Sequence, residues 1–323
     1  MRYLLSVLLT LLGGSAGADP LRVFVSVLPQ KTFVERVGGP GVEVQVMVQP
    51  GASPHTYDPT PRQVAALARA DLYVAVGVSF EDAWMGRIRA ANPRMQVLDS
   101  SQGIDLRAME APDHDAEPGH GHADEGQPAV AHGPGGQGTG PAEAGEGVGH
   151  DHQVRDPHLW TSPPLVKQMA AGIRDALTQL DPGNGPTYAA NYAAFAAELD
   201  SLDREIRARL AGVANRRFMV FHPAWGYFAD TYGLTQVPIE RGGKEPGPRA
   251  LAALIDQARR EQVRVIFVQP QFSRKAAAQV ASAIGGRVEV MDPLAPDYLG
   301  NLRRVASVLV EAGTPRPSVE SRR

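Results

Sequence analysis

The sequence contains no cysteine. That one absence removes disulfides, cysteine-type zinc sites, iron–sulfur clusters and thiol nucleophiles together, so any metal site must draw on histidine and carboxylates. Aromatic residues are sparse at 6%, and no sign of charge dominates, with 32 Lys+Arg against 35 Asp+Glu and a formal net charge of -3. Near-neutrality supplies no extended field for a polyanion, and no nucleic-acid partner is expected. Long apolar runs are scarce too. The run from Leu4 to Leu12 follows Arg2, ends at Gly13-Gly14 and precedes the small-x-small triplet Ala16-Gly17-Ala18. It is shorter than the ~20 apolar residues that span a bilayer and reads as a secretory signal peptide over residues 1–18. No cysteine follows it to carry a lipid, so the mature chain is expected to start near Asp19 as a soluble periplasmic protein without a lipid anchor.

What remains is ordinary globular material: 323 residues, 43% hydrophobic and 21% charged, enough for about two domains at ~100–200 residues each. From Leu21 onward, β-rich runs alternate with helical stretches. Leu21 to Leu28 reads as a strand, Pro29 to Val37 as a helix closed by Gly38-Gly39, and Val42 to Val48 as a period-two strand. Thr60-Pro61-Arg62-Gln63 is a capping box with proline at the first helical position. Strand 72–76, helix 81–90 and strand 95–98 continue the series, which is the grammar of a parallel sheet covered by helices. A helix over 164–180 ends at Asp181-Pro182-Gly183. A second helix, Pro186 to Ala211, carries Tyr188, Tyr192, Phe195, Leu199, Leu202, Ile206 and Leu210 at steps of three and four and would be roughly 39 Å long. The strand–helix series then resumes at Phe218, continues with a helix from Pro223 and ends in a helix from about Tyr298. The expected division is 1–18 signal peptide, 19–183 first lobe, 184–211 linker helix and 212–323 second lobe.

Between residues 110 and 155 the composition turns to Gly, Pro, Ala, His and acids, which cannot build a packed core. Six of the nine histidines lie there: His114, His120, His122, His132, His150 and His152. Weak, exchangeable zinc binding at several points of this loop is expected, as an accessory to any ordered site. His150-Asp151-His152 superficially resembles a metallo-hydrolase signature, but the spacing to Asp156 and His158 does not fit it.

The three histidines left are His55, His158 and His222, set in Ser53-Pro54-His55-Thr56-Tyr57-Asp58-Pro59, Asp156-Pro157-His158-Leu159-Trp160 and Phe221-His222-Pro223-Ala224-Trp225. Each sits beside proline just after a strand or at a helix start. In parallel α/β sheets, ligands bind at the carboxyl ends of strands, and flanking prolines fix the backbone that presents an imidazole. Asp292, in Val290-Met291-Asp292-Pro293, is a fourth candidate donor, although Asp-Pro is also a common turn start. Three imidazoles and a carboxylate suit tetrahedral zinc, and the set alone leaves manganese, nickel and cobalt open. Asp58 and Asp156 are placed to accept a ligand N–H, although Asp156 could equally cap a turn. Trp160, Trp225 and Tyr227 read as packing around the site. Histidine ligation implies an affinity that falls as pH drops through the imidazole range. No His-Glu-x-x-His, glycine-rich phosphate loop or Gly-x-Ser-x-Gly elbow is present, so an enzyme is not expected. A zinc hydrolase would need a base and an open coordination position that the sequence does not offer.

Taken together, the export signal, Gly51-x-x-Pro54-His55-x-Tyr57-x-Pro59-Thr60-Pro61, Asp156-Pro157-His158-x-Trp160, Phe221-His222-x-Ala224-x-Gly226-Tyr227-Phe228, Gln269-Pro270-Gln271-Phe272 and Asp292-Pro293-Leu294 closely resemble the zinc/manganese-specific solute-binding proteins of ABC transporters. The resemblance implies two α/β lobes, each with a parallel sheet flanked by helices, joined by one long rigid helix. It places the metal, Zn2+ as transported cargo, in the cleft between them, with His55 and His158 from the first lobe and His222 and Asp292 from the second. It also implies docking of a monomer on an inner-membrane permease and its ATPase. Manganese transport, or a periplasmic metal chaperone or adhesin, would use the same fold. The chain departs from the family pattern at Gln269, where many members carry Glu. A neutral group there cannot add a carboxylate, which favours zinc over the harder manganese ion. Some zinc members carry an acid just before the first histidine, where this chain has Pro54, which leaves Asp292 or a water for the fourth position.

Overall fold

The computed structural model describes residues 19–109, 155–240 and 244–313. The expected signal peptide, the six histidines of the 110–155 segment and Arg241 to Gly243 lie outside the described residues. The first sheet is parallel, with strands β1 (Leu21–Val25), β2 (Val42–Val46), β3 (Leu72–Ala75) and β4 (Gln96–Asp99) in the order β2-β1-β3-β4. Its helices are α1 (Leu28–Gly38), α2 (Pro61–Leu67) and α3 (Ser79–Ala91). After α4 (Pro163–Leu180), the 26-residue α5 (Gly185–Leu210) leads to the second sheet. That sheet holds β5 (Arg217–Val220), β6 (Thr235–Pro238), β7 (Val265–Val268) and β8 (Arg287–Val290), again parallel and in the same order, β6-β5-β7-β8. Helices α6 (Gly226–Tyr232), α7 (Pro248–Arg260), α8 (Lys275–Ala283) and α9 (Tyr298–Gly313) complete the chain.

Local chemistry explains the elements. Every residue of β3 (LYVA) and β7 (VIFV) is buried, as strands covered on both faces require, whereas β2 at the sheet edge alternates between half-buried and exposed positions. Thr60 caps α2 by accepting from the Gln63 N–H, while the Gln63 carboxamide accepts from the Thr60 N–H. The second lobe departs from expectation at one helix start. The sequence suggests a helix from Pro223, but α6 begins at Gly226. The intervening residues form a turn in which Ala224 N–H donates to His222 O and the Gln236 side chain bridges Trp225 N–H and Pro223 O.

The lobes share one core. A single apolar cluster runs from β1, β3 and α1 through α4 and α5 to Phe228, Leu302 and Leu309, and a smaller cluster fills the far side of the second sheet. Helix α9, in the second lobe by chain order, packs on the first as well. Tyr298 meets Phe33 of α1 edge-on at 4.9 Å between ring centroids, and Phe33 lies 6.1 Å from Phe195 of α5. Arg303 of α9 pairs with Glu205 of α5. Among the described residues, no helix is long and apolar enough to cross a membrane.

A core shared in this way unfolds as one unit. Truncating Leu202, which is fully buried in α5, to alanine should cost about 2–5 kcal/mol and shift a single calorimetric transition downward. Two separate transitions in the native protein would show that the lobes are independent.

Candidate metal centre

In each sheet the strand order reverses direction between the first and third strands of the lobe, β1 and β3 in one and β5 and β7 in the other. Segments that follow β2, β5, β7 and β8 meet at one cleft, on the carboxyl side of the strands where α/β sheets collect ligands. The cleft is lined by Pro54, His55, His158, Trp160, His222, Gln269, Gln271, Phe272 and Leu294. One ring nitrogen from each of His55, His158 and His222 lies within 4.8 Å of the other two. Tertiary structure thus brings together three histidines separated by up to 167 positions.

Two of the three are locked by buried carboxylates. His158 Nδ1 lies 2.7 Å from Asp156 Oδ1, and His222 Nδ1 lies 2.7 Å from Glu240 Oε1. An ionised carboxylate only accepts, so both Nδ1 atoms carry the proton and both Nε2 lone pairs are left bare. Asp156 also accepts the His158 backbone N–H at 2.9 Å, so the two roles left open for it by the sequence coincide. Gly226 makes room for this carboxylate: a Cβ there would stand 3.0 Å from Asp156 Oδ2. Asp58 does not reach His55. It accepts from Trp84 Nε1 at 3.1 Å and thereby ties the His55 loop to α3.

His55 is held differently. Its Nδ1 lies 3.1 Å from the Ser79 hydroxyl, and its Nε2 lies 3.0 Å from His222 Nε2. Because His222 Nε2 is bare, His55 Nε2–H can donate to it while Ser79 donates to His55 Nδ1. In the opposite tautomer Ser79 accepts, and the His55 Nε2 lone pair also turns inward. A hydroxyl serves both states where a carboxylate would enforce one. Glu81 braces the loop that leads to Ser79, the first residue of α3, accepting from the Val76 and Gly77 N–H groups and from Ser26. Burial pushes its carboxyl up to about 7.

The backbone around His222 is clamped as well. Gln269 donates to His222 O at 2.8 Å while its carbonyl accepts the His222 N–H. A glutamate at this position could not make the donating half of that pair. Phe272 stacks on the His222 ring with centroids 5.0 Å apart. Trp160 donates to Pro293 O at 2.8 Å, and Tyr227 donates to Asp156 O while accepting the Arg107 N–H, so these aromatics support the site as expected. Asp292 does not join the histidine cluster. Its Oδ1 accepts from Leu294 N–H at 2.9 Å and from Gln271 Nε2 at 3.2 Å. Glu240, Ser79 and Glu81 were not singled out from the sequence; none stands in a quoted motif, and only their positions beside the histidine cluster reveal them, whereas Gln271 lies in the Gln269-Pro270-Gln271-Phe272 motif without a role assigned to it there.

Burial, reinforced by the neighbouring His222 and His158, drives His55 down to about 3. Burial also lowers His222, against the opposing pull of Glu240. Neutral imidazoles with inward lone pairs, backed by two carboxylates, fit a borderline divalent cation such as zinc. They offer a hard oxygen-seeking ion little.

Comparison with known proteins follows the same line. The family profile described as "ZnuA: Zinc-uptake complex component A periplasmic" matches residues 23–312. The chain is 28% identical over 287 residues to the high-affinity zinc uptake system protein ZnuA of Bacillus subtilis (strain 168), covering 87% of this chain and 81% of that protein. It is 26% identical over 277 residues to the zinc-binding lipoprotein AdcA of Streptococcus pneumoniae (strain ATCC BAA-255 / R6), covering 85% of this chain and 50% of AdcA. A crystal structure of a ZnuA deletion mutant with zinc bound superposes with a TM-score of 0.77 at 39% identity, over 93% of this chain and all of the other.

The lowered imidazoles move the pH window below the ordinary histidine range. Three unperturbed imidazoles near 6.5 would each cost about tenfold in affinity at pH 5.5, about a thousandfold together. Since His55 and His222 protonate at lower pH, the loss of zinc affinity between pH 7.5 and 5.5 should fall well short of that. A chelator-competition titration at the two pH values measures it, and a full thousandfold loss would contradict the burial of these rings.

Proposed function

The chain belongs to the ZnuA family of periplasmic zinc-uptake components, and from that premise we propose that His55, His158 and His222 are the ligands that hold its transported ion. It is a binding component of an ABC transport system and not an enzyme. The observation that carries the ligand assignment is the convergence of three buried or half-buried imidazoles, two of them with Nδ1 on a carboxylate. Zn2+ is cargo here. It is captured in the cleft between the lobes, held by three nitrogens and completed by solvent, with Asp292 standing beside the site, and it is released to a membrane permease driven by ATPase subunits. The continuous core across α5 and α9 favours small lobe adjustments over a wide hinge. The protein is read as a monomer with no nucleic-acid partner. A form free in the periplasm, in contrast to the lipoprotein AdcA, rests on the absence of cysteine. The histidine-rich segment is read as an accessory that gathers zinc weakly. Uptake at scarce zinc that is unchanged when residues 113–152 are deleted would reduce it to a linker.

Competition titrations with zinc and manganese, on the full chain and on a form lacking residues 113–152, test the assignment. One tight zinc site with far weaker manganese is expected in both. Asp156→Ala and Glu240→Ala should each weaken zinc by about 10–100-fold, because each frees an imidazole to rotate. Absence of a tight site once 113–152 is removed would transfer the function to that segment.

A further inference from the structure

His55 differs from the other two histidines in what holds it. His158 and His222 each rest on a buried carboxylate, whereas the loop that carries His55 leans on the first turns of α3. Phe80 N–H donates to Pro54 O at 3.3 Å, Ser79 Oγ lies 3.1 Å from His55 Nδ1, and Trp84 Nε1 donates to Asp58 Oδ1 at 3.1 Å. Where α3 starts thus decides where this imidazole stands. The helix has no side-chain cap of its own, because Val78 holds the N-cap position. Glu81, three residues on and 4% exposed, supplies the missing hold in the manner of the third residue of a capping box. It reaches back past the N-cap, where Oε2 accepts the Gly77 N–H at 2.7 Å and Oε1 the Val76 N–H at 3.1 Å. Oε1 also accepts from the hydroxyl of Ser26, directly after β1, and Tyr73 OH on β3 stands 2.8 Å from that hydroxyl. Gly77 turns at φ +83°, a left-handed bend that glycine adopts without strain and that has no side chain of its own to lock it.

We propose that Glu81 is a positioning residue for metal capture: by tying the Val76–Gly77 turn to the ends of β1 and β3 it fixes the start of α3, and through Ser79 and Phe80 it seats His55 against His158 and His222. The proposal rests on the reading of these three histidines as the ligands. A zinc–nitrogen bond of ~2.0–2.1 Å leaves little room for a ligand out of place. What the role demands of residue 81 is acceptance at the right reach and not charge. Its donors are two amides and a hydroxyl, with no cation among them. Glutamine reproduces that pattern, its oxygen accepting from the amides and its NH2 donating to the Ser26 hydroxyl. Aspartate keeps the charge and loses the reach by one methylene.

The test uses the full chain, with zinc affinity from chelator competition and the histidine ring NMR signals of the metal-free chain, assigned through single histidine variants. Glu81→Ala and Glu81→Asp should each weaken zinc about tenfold, the lower end of the effect of groups that orient a ligand, while Glu81→Gln stays within about threefold of the native chain. In the metal-free chain the His55 signals should shift or broaden in the alanine and aspartate variants, with those of His158 and His222 unmoved. Added to His55→Ala, which removes the ligand itself, Glu81→Asp should cost nothing further, because the two changes act at one point. Where Glu81→Ala fails to fold, Glu81→Asp carries the comparison. Native zinc affinity in Glu81→Asp, an equal loss in Glu81→Gln, or a loss that adds in full to that of His55→Ala overturns the role of Glu81 and leaves the three-histidine site standing. If His55→Ala binds zinc as the native chain does, the ligand reading falls first and this inference with it.

Discussion

The site depends on the hydrogen bonds from His158 and His222 to Asp156 and Glu240. All four side chains are buried, and charged groups buried without compensation carry a penalty of several kcal/mol each. Glu240 Oε2 has no hydrogen-bond partner among the described residues. The carboxylates set the imidazole tautomers, turn the bare nitrogens inward and bring two negative charges next to a place where a divalent cation balances them.

The scaffold delivers these groups with little freedom. His158 sits at the entry to α4 and His222 directly after β5, both pinned by proline, side-chain clamps and aromatic packing. His55 is the exception, carried on a loop, half-buried, and partnered by a hydroxyl that tolerates either tautomer. The arrangement separates two duties. Two rigidly held imidazoles, His158 and His222, meet a third, His55, on the more accessible side. The shared core of α1, α5 and α9 keeps the lobes in register so that histidines from both meet within 4.8 Å.

Much of this was legible from residue order. Capping at Thr60, the period-two pattern of Val42 to Val46 and the apolar spacing along Tyr188, Phe195, Leu199, Leu202 and Ile206 are local signals, and the strands and helices formed within a few residues of where those signals place them. The start of α6 was shifted because side chains distant in sequence, above all Gln236, hold the Trp225 turn. The three histidines that cluster were visible because each stands in a proline-rich context at a strand or helix boundary. Glu240 was not, because an acid after a strand has no distinctive neighbourhood until the strand order sets it beside His222.

Composition and local pattern by themselves determined the class of chemistry: without cysteine, a metal site had to be built from imidazoles, and alternating strands and helices had to form parallel sheets with ligands at their carboxyl ends. That Glu240 backs the His222 ring, and that Gln271 bonds the Asp292 carboxylate, depended on contacts across 18 and 21 positions. Tertiary structure alone decides these, because a hydrogen bond between residues so far apart in sequence leaves no trace in the residues on either side of it.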